Sequence, residues 1–149
     1  MNIDRDGHIK VRDISFSLLT EGKNLKVSAD GFSMYPSIKP GSIIIIEPIA
    51  DDLFPIPGEI IAWKRESGFV VHRLVSIMKT KESTLFITRG DSCAREDQPF
   101  PMERIAGRVI SVENSEGRIL CSGTNLIRKP SYLYNRLLAW LMVRIRKYL

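Results

Sequence analysis

The chain has 149 residues, is 44% hydrophobic and 26% charged, and so has the length and balance of one globular domain. Its net charge of +5 is modest. The basic residues are spread along the chain except at the C-terminal end, which argues against nucleic acid as a partner. Two cysteines and two histidines, with no Cys-x-x-Cys pair, argue against a metal site and suit a reducing compartment.

The first residues, MNIDRDGHIKVRD, are charged and lack the apolar core of a secretory signal. No run approaches the roughly 20 apolar residues of a membrane-spanning helix. Both observations predict a cytoplasmic or peripherally membrane-associated protein. Residues 11–20 space Val11, Ile14 and Leu18 as one face of a short helix, which Glu21-Gly22 stops.

The pattern then changes to period two and short apolar runs. Strands are predicted at 25–29, 42–47, 59–64, 69–78, 84–89, 104–113 and 118–122, rich in Ile and Val and separated by Gly, Pro, Asp and Ser. Many short strands with Pro/Gly turns predict a mainly β fold, a barrel or folded-over sheet. The last segment, 131–149, reads as a helix following Pro130. The predicted organisation is an N-terminal helical extension (1–22), a β domain (23–128) and a C-terminal basic amphipathic helix (129–149).

Three stretches carry candidate chemistry. In GFSMYPSIKPG (31–41), Ser33 stands on a turn hemmed by glycine and proline. Its hydroxyl either bonds the turn backbone or is a nucleophile, which needs a base within hydrogen-bond reach. His8 lies in the charged end, whereas His72 lies inside the strand GFVVHRLV. A strand can hold an imidazole in place for base work, and it can equally hold a half-buried histidine bonded to backbone. The stretch TRGDSCAREDQPFP (88–101) turns at Gly90-Asp91 and carries Asp91, Glu96 and Asp97. A carboxylate there could orient a histidine, cap the turn or be solvated.

These three stretches, in this order, resemble the signal peptidase I group of serine peptidases, whose fold is shared with the self-cleaving LexA-type repressors. GFSMYPSIKPGSIIIIEP is similar to the nucleophile box, GEIIAWKRESGFVVHRLVSI to the base box, and TRGDSCAREDQPFPMERIAGRVI to the Gly-Asp box and closing strand. The likeness runs from about residue 25 to residue 112. Most of the group place a lysine where this chain has His72, and His72-Arg73 resembles the endoplasmic-reticulum and archaeal type. That type implies an aspartate six residues beyond the Gly-Asp aspartate, which here is Asp97.

The resemblance therefore implies a serine endopeptidase with Ser33 as nucleophile, His72 as general base and Asp97 as its orienter. Asp91, Met34 and Gly90 become supporting residues, with no cofactor. The implied substrate is a peptide or precursor protein bound as an extended strand and cut after small residues, as in leader-peptide processing. A histidine base implies activity that falls as His72 protonates near its ordinary pKa of about 6.5, raised somewhat if Asp97 is close.

Departures from the group's pattern are Ser42 after Pro-Gly, Ser92 after Gly-Asp, and Gly31, which supplies no second hydroxyl. That last departure leaves an oxyanion to backbone donors such as the Ser33 N–H. Two alternatives stand beside the peptidase. A self-cleaving LexA-type regulator needs a DNA-binding domain ahead of Ser33, where there are few residues to build one. A catalytically decayed peptide-binding module is fed by the departures.

On a helix, Tyr134, Leu137, Leu138, Leu141, Met142, Ile145, Tyr148 and Leu149 share one face, and Asn135, Arg136, Trp140, Arg144, Arg146 and Lys147 lie on the other half. Such a helix either packs on the β domain or a second copy, or lies on an anionic membrane surface. The membrane reading predicts that removing 131–149 spares cleavage of short soluble peptides.

Overall fold

The computed structural model describes residues 19–66 and 68–149. The predicted N-terminal helix falls almost wholly outside these residues, as does His8.

Seven strands form where the apolar alternation places them: β1 (Leu25–Ala29), β2 (Ser42–Glu47), β3 (Ile60–Arg65), β4 (Gly68–Lys79), β5 (Thr84–Arg89), β7 (Ile105–Glu113) and β8 (Ile119–Ser122). A two-residue strand, β6 (Phe100–Pro101), was not legible as one. Short 3-10 turns follow at Met102–Arg104 and Gly123–Leu126, and the chain ends in a helix, α1 (Tyr132–Tyr148). The described residues thus make a mainly β protein with a C-terminal helix.

The eight strands form one sheet in the order β1-β2-β7-β3-β4-β5-β6, with β8 also on β7. Every pairing is antiparallel. β7 pairs β3 through its first residues and β2 through the rest, with bulges in both ladders. Gly107 permits that crossing. A Cβ there would overlap the Glu47 carbonyl oxygen and stand 2.7 Å from an Ile46 methyl carbon.

The sheet folds over two apolar layers. Leu19, Met34, Ile38, Ile44, Ile46, Ile60, Ala62, Ala106, Val109, Val112 and Leu126 form the first. Ile61, Trp63, Leu74, Phe86 and Phe100 form the second. β3 lies between them and sends alternate side chains to each, which explains why its apolar run is continuous. β2 has one buried face, so its four isoleucines alternate, Ile44 and Ile46 buried, Ile43 and Ile45 half-buried. Trp63 stacks on Phe100 at 4.1 Å between ring centroids, closing the second layer beneath the loop that carries Asp97.

The C-terminal helix does not turn its apolar face to the sheet. Asn135 and Ala139 are its buried residues, while Leu133, Tyr134, Leu137, Trp140, Leu141 and Ile145 are exposed. Its first turn is fixed by a few specific contacts: Asn135 Nδ2 donates to the Asp91 carbonyl at 3.0 Å, and the Arg89 guanidinium lies 3.6 Å from the Tyr132 ring centroid. Of the residues that the helical projection puts on the polar half, Asn135 docks, whereas Arg136, Trp140, Arg144, Arg146 and Lys147 are exposed. Among the described residues no helix is long and apolar enough to cross a membrane.

Candidate active site

The loop between β1 and β2 holds Ser33. Met34 and Ile38, 4% and 2% exposed, anchor it in the first apolar layer, and Ile38 N–H donates to the Met34 carbonyl at 2.9 Å. Two apolar plugs flanking a half-exposed serine make a turn that cannot swing away. Gly41, at φ +84°, lets the chain enter β2, and its N–H donates to the Ala29 carbonyl at 2.7 Å.

The Gly-Asp loop is stitched to that turn. Ser92 N–H donates to the Ser33 carbonyl at 3.0 Å, and Ser92 Oγ donates to the Phe32 carbonyl at 2.5 Å. Ser92, one of the departures, therefore holds the two loops together. Ser42, another, is buried at the start of β2.

His72 and Arg73 are neighbours on β4, so the pleat sends them to opposite faces. His72 Nδ1 meets Asp97 Oδ2 at 2.6 Å, and both side chains are 12% exposed. The Asp97 carboxylate also accepts Thr88 Oγ1 at 2.6 Å and Arg65 Nη2 at 3.3 Å, while Asp97 N–H donates to the Thr88 carbonyl at 2.8 Å. A carboxylate held by three partners, on a backbone itself bonded to Thr88, fixes the imidazole ring in turn.

On the other face, Arg73 Nε and Nη2 donate to the two Asp91 carboxylate oxygens, both at 2.7 Å. Arg73 Nη1 donates to the carbonyls of Gly58 at 2.7 Å and Leu126 at 2.5 Å. Ser37 Oγ donates to Asp91 at 2.5 Å. Asp91 is thus a buried tie between loops with no hydrogen bond to His72 among the described residues, and Glu96 is exposed.

Gly90 is where the loops meet most closely. A Cβ built there would overlap Cys93 Sγ and stand 2.6 Å from the Ser33 carbonyl oxygen and 3.1 Å from His72 Nε2. The far nitrogen of the ring, the Cys93 sulfur and the backbone of Ser33 therefore surround one point. No hydrogen bond joins Ser33 Oγ to His72 among the described residues; the ring is bonded to Asp97 through Nδ1, with the Cys93 sulfur near its other nitrogen.

These contacts set the charge state. Burial of the His72 ring lowers its pKa, but the hydrogen bonds to Asp97 and Cys93, with the charges of both, outweigh burial and push it up to about 9. Burial raises the Asp97 pKa, and the hydrogen bonds from His72 and Thr88 with the charges of His72 and Arg65 outweigh it, holding the carboxyl below its ordinary value.

Sequence reasoning placed Ser33, His72 and Asp97 near one another but missed Thr88, Arg65 and Cys93. Thr88 sits at the end of β5, and its bond to Asp97 follows from the loop folding back on that strand. Cys93 could have been found by noticing that it lies two residues past the Gly-Asp turn. A cavity of about 660 Å³ is lined by residues including Leu19, Glu47, Leu53, Met102 and Arg108 and by none of these site residues. Among the described residues no group of His, Cys, Asp and Glu is arranged to hold a metal ion.

The sheet and its loops define a mainly β protein that brings a serine turn and a His–Asp pair to one edge of the fold. No family model matches the chain. Over 77 residues it is 35% identical to signal peptidase I W of Bacillus subtilis (strain 168), a match covering 51% of this chain and 40% of that protein. The likeness is to a signal peptidase I, and the aligned part spans less than half of that relative.

Proposed function

We infer that the chain is a serine endopeptidase of the signal peptidase kind, using a histidine base. The observation that carries this reading is the 2.6 Å His72–Asp97 hydrogen bond, with the opposite ring nitrogen facing the turn that bears Ser33. Ser33 Oγ attacks a peptide carbonyl while neutral His72 takes its proton through Nε2. Asp97 holds the ring by Nδ1 and stabilises the imidazolium that forms. The same proton goes to the leaving amine, and water then releases the acyl group.

The Ser33 N–H donates to no acceptor among the described residues, which suits it to receive the oxyanion. A substrate carbonyl entering between Ser33 and His72 would have to draw the hydroxyl onto the ring, since catalytic hydrogen bonds often tighten only in the substrate complex. Resemblance to signal peptidases supports a leader or precursor peptide, bound extended and cut after small residues, as the substrate. The exposed apolar residues of α1, with Arg136, Arg144, Arg146 and Lys147 among them, support an anionic membrane surface as the place of action.

A decayed peptide-binding module is the second reading, favoured by the missing Ser33–His72 bond. Treatment with an acylating serine probe, read by intact mass and peptide mapping, separates the two. One adduct on Ser33, lost in His72→Ala, supports the peptidase; an unmodified Ser33 supports the module.

A further inference from the structure

Cys93 has no part in the mechanism above, yet its sulfur shares one small space with His72 Nε2 and the Ser33 carbonyl oxygen. Gly90, lacking a side chain, lets the sulfur approach: Cys93 Sγ, His72 Nε2 and the Ser33 carbonyl oxygen all crowd the position a Cβ would take. Cys93 N–H donates to the Gly90 carbonyl at 3.0 Å, fixing the turn, and Sγ lies 4.0 Å from the Ser33 carbonyl oxygen. The sulfur and His72 Nε2 face each other across that Cβ position, the nitrogen 3.1 Å from it, and the other ring nitrogen is held by Asp97 at 2.6 Å. Sulfur, imidazole and carboxylate are thus in series, the arrangement that activates a cysteine. Cys93 is half-buried, so a small reagent can reach it, and Cys121, equally half-buried, lies on β8 and packs against the first apolar layer.

We propose that Cys93 is a modification site, a thiol activated by His72 and Asp97 that hydroperoxides oxidise to a sulfenic acid, closing the site reversibly. Neutral His72 takes the thiol proton at Nε2, leaving a thiolate beside an imidazolium. Sulfur attacks one oxygen of the hydroperoxide; an S–O bond forms and the O–O bond breaks. The departing oxygen takes the imidazolium proton and leaves as water or an alcohol. Sulfur loses two electrons and the peroxide gains them. The added oxygen must lie among His72 Nε2, the Ser33 carbonyl and Gly90, so it obstructs proton transfer from Ser33. A small-molecule thiol condenses with the sulfenic acid, releasing water and forming a mixed disulfide. A second thiol then restores Cys93.

The reactivity of the thiol stands on its own geometry, whereas closure of the site rests on the peptidase reading. The test treats the full chain with hydrogen peroxide and a dimedone-type trap. It follows Cys93 and Cys121 by peptide mass spectrometry alongside cleavage of a reporter peptide with small residues at the cut. Cys93 should be trapped at least about tenfold faster than Cys121, and His72→Ala should remove that preference without speeding Cys121, whose rate reports the integrity of the fold. Cleavage should fall in step with Cys93 oxidation and return with dithiothreitol, and Cys93→Ala should keep its own untreated rate in peroxide. Equal trapping of the two cysteines overturns the modification site whatever happens to cleavage. Selective trapping with undiminished cleavage overturns closure. Selective trapping in a chain that never cleaves leaves the reactive thiol standing and overturns closure together with the peptidase reading.

Discussion

Arg73 and Asp91 form a two-point ion pair at the junction of β4, the Gly-Asp loop and α1, with side chains 1% and 0% exposed. Removing one partner of a buried pair strands the other, at a cost of about 3–5 kcal/mol. Asp91→Asn should therefore lower the urea unfolding midpoint strongly. Asp97→Asn leaves this tie intact and should instead depress cleavage with a smaller loss of stability. Equal unfolding midpoints for wild type and Asp91→Asn would remove the structural role of the pair.

The pH profile expected from the site differs from that of an ordinary histidine. A base must be neutral, and the His72 pKa is pushed up to about 9. kcat/KM should rise with pH and level off only above about 9, well beyond the ordinary value near 6.5 that the sequence suggested. Cys93→Ala removes two of the influences that raise the pKa and should move this limb downward. The stability linkage runs the other way: the folded state favours protonated His72, so its contribution is complete below about 6.5 and is lost as pH rises through about 9. A cleavage limb near 6.5 in the wild type would contradict this picture of the ring.

Gly90→Ala tests the convergence of the two loops. Its backbone is not in the left-handed region, so the added methyl acts through collision with Cys93 Sγ, the Ser33 carbonyl oxygen and His72 Nε2. Cleavage should fall at least about tenfold with loss of a few kcal/mol of stability at most. Serine-probe labelling and urea unfolding measured on the same preparation check both halves. Wild-type labelling of Gly90→Ala would mean that the loops are not closely packed.

The C-terminal helix divides by function. Its first turns hold the site loop through Tyr132 and Asn135, and residues 140–149 are exposed. Removal of 140–149 should spare cleavage of short peptides and abolish salt-sensitive binding to anionic vesicles. Removal of 131–149 should also impair cleavage, contrary to the expectation that the whole helix is dispensable for it. Vesicle binding unchanged by the shorter deletion would assign the exposed face another role.

Most of the sheet was legible because its information is local. Ile44 and Ile46 alternate with half-buried neighbours on β2, and β3 is apolar throughout because both its faces are covered. β6 was not legible because two residues, Phe100 and Pro101, have no period and become a strand only by pairing with β5. The docking of α1 was hidden because an apolar stripe ordinarily marks the buried face, whereas here Asn135 is recruited by a carbonyl 44 residues away. The candidate triad was visible through motif resemblance. The roles of Arg73, Thr88 and Cys93 were not, because each depends on a partner that only the folded loops supply.

The central claim, that Ser33 is a nucleophile served by His72, is tested most directly by kcat/KM for a small-residue reporter peptide, comparing wild type with Ser33→Ala at pH 9. Loss of the hydroxyl removes the acyl-enzyme route altogether, and members of such a unit each carry most of its effect. The expected result is a fall of at least about a thousandfold with an unchanged unfolding midpoint. Cleavage by Ser33→Ala at the wild-type rate would contradict the assignment.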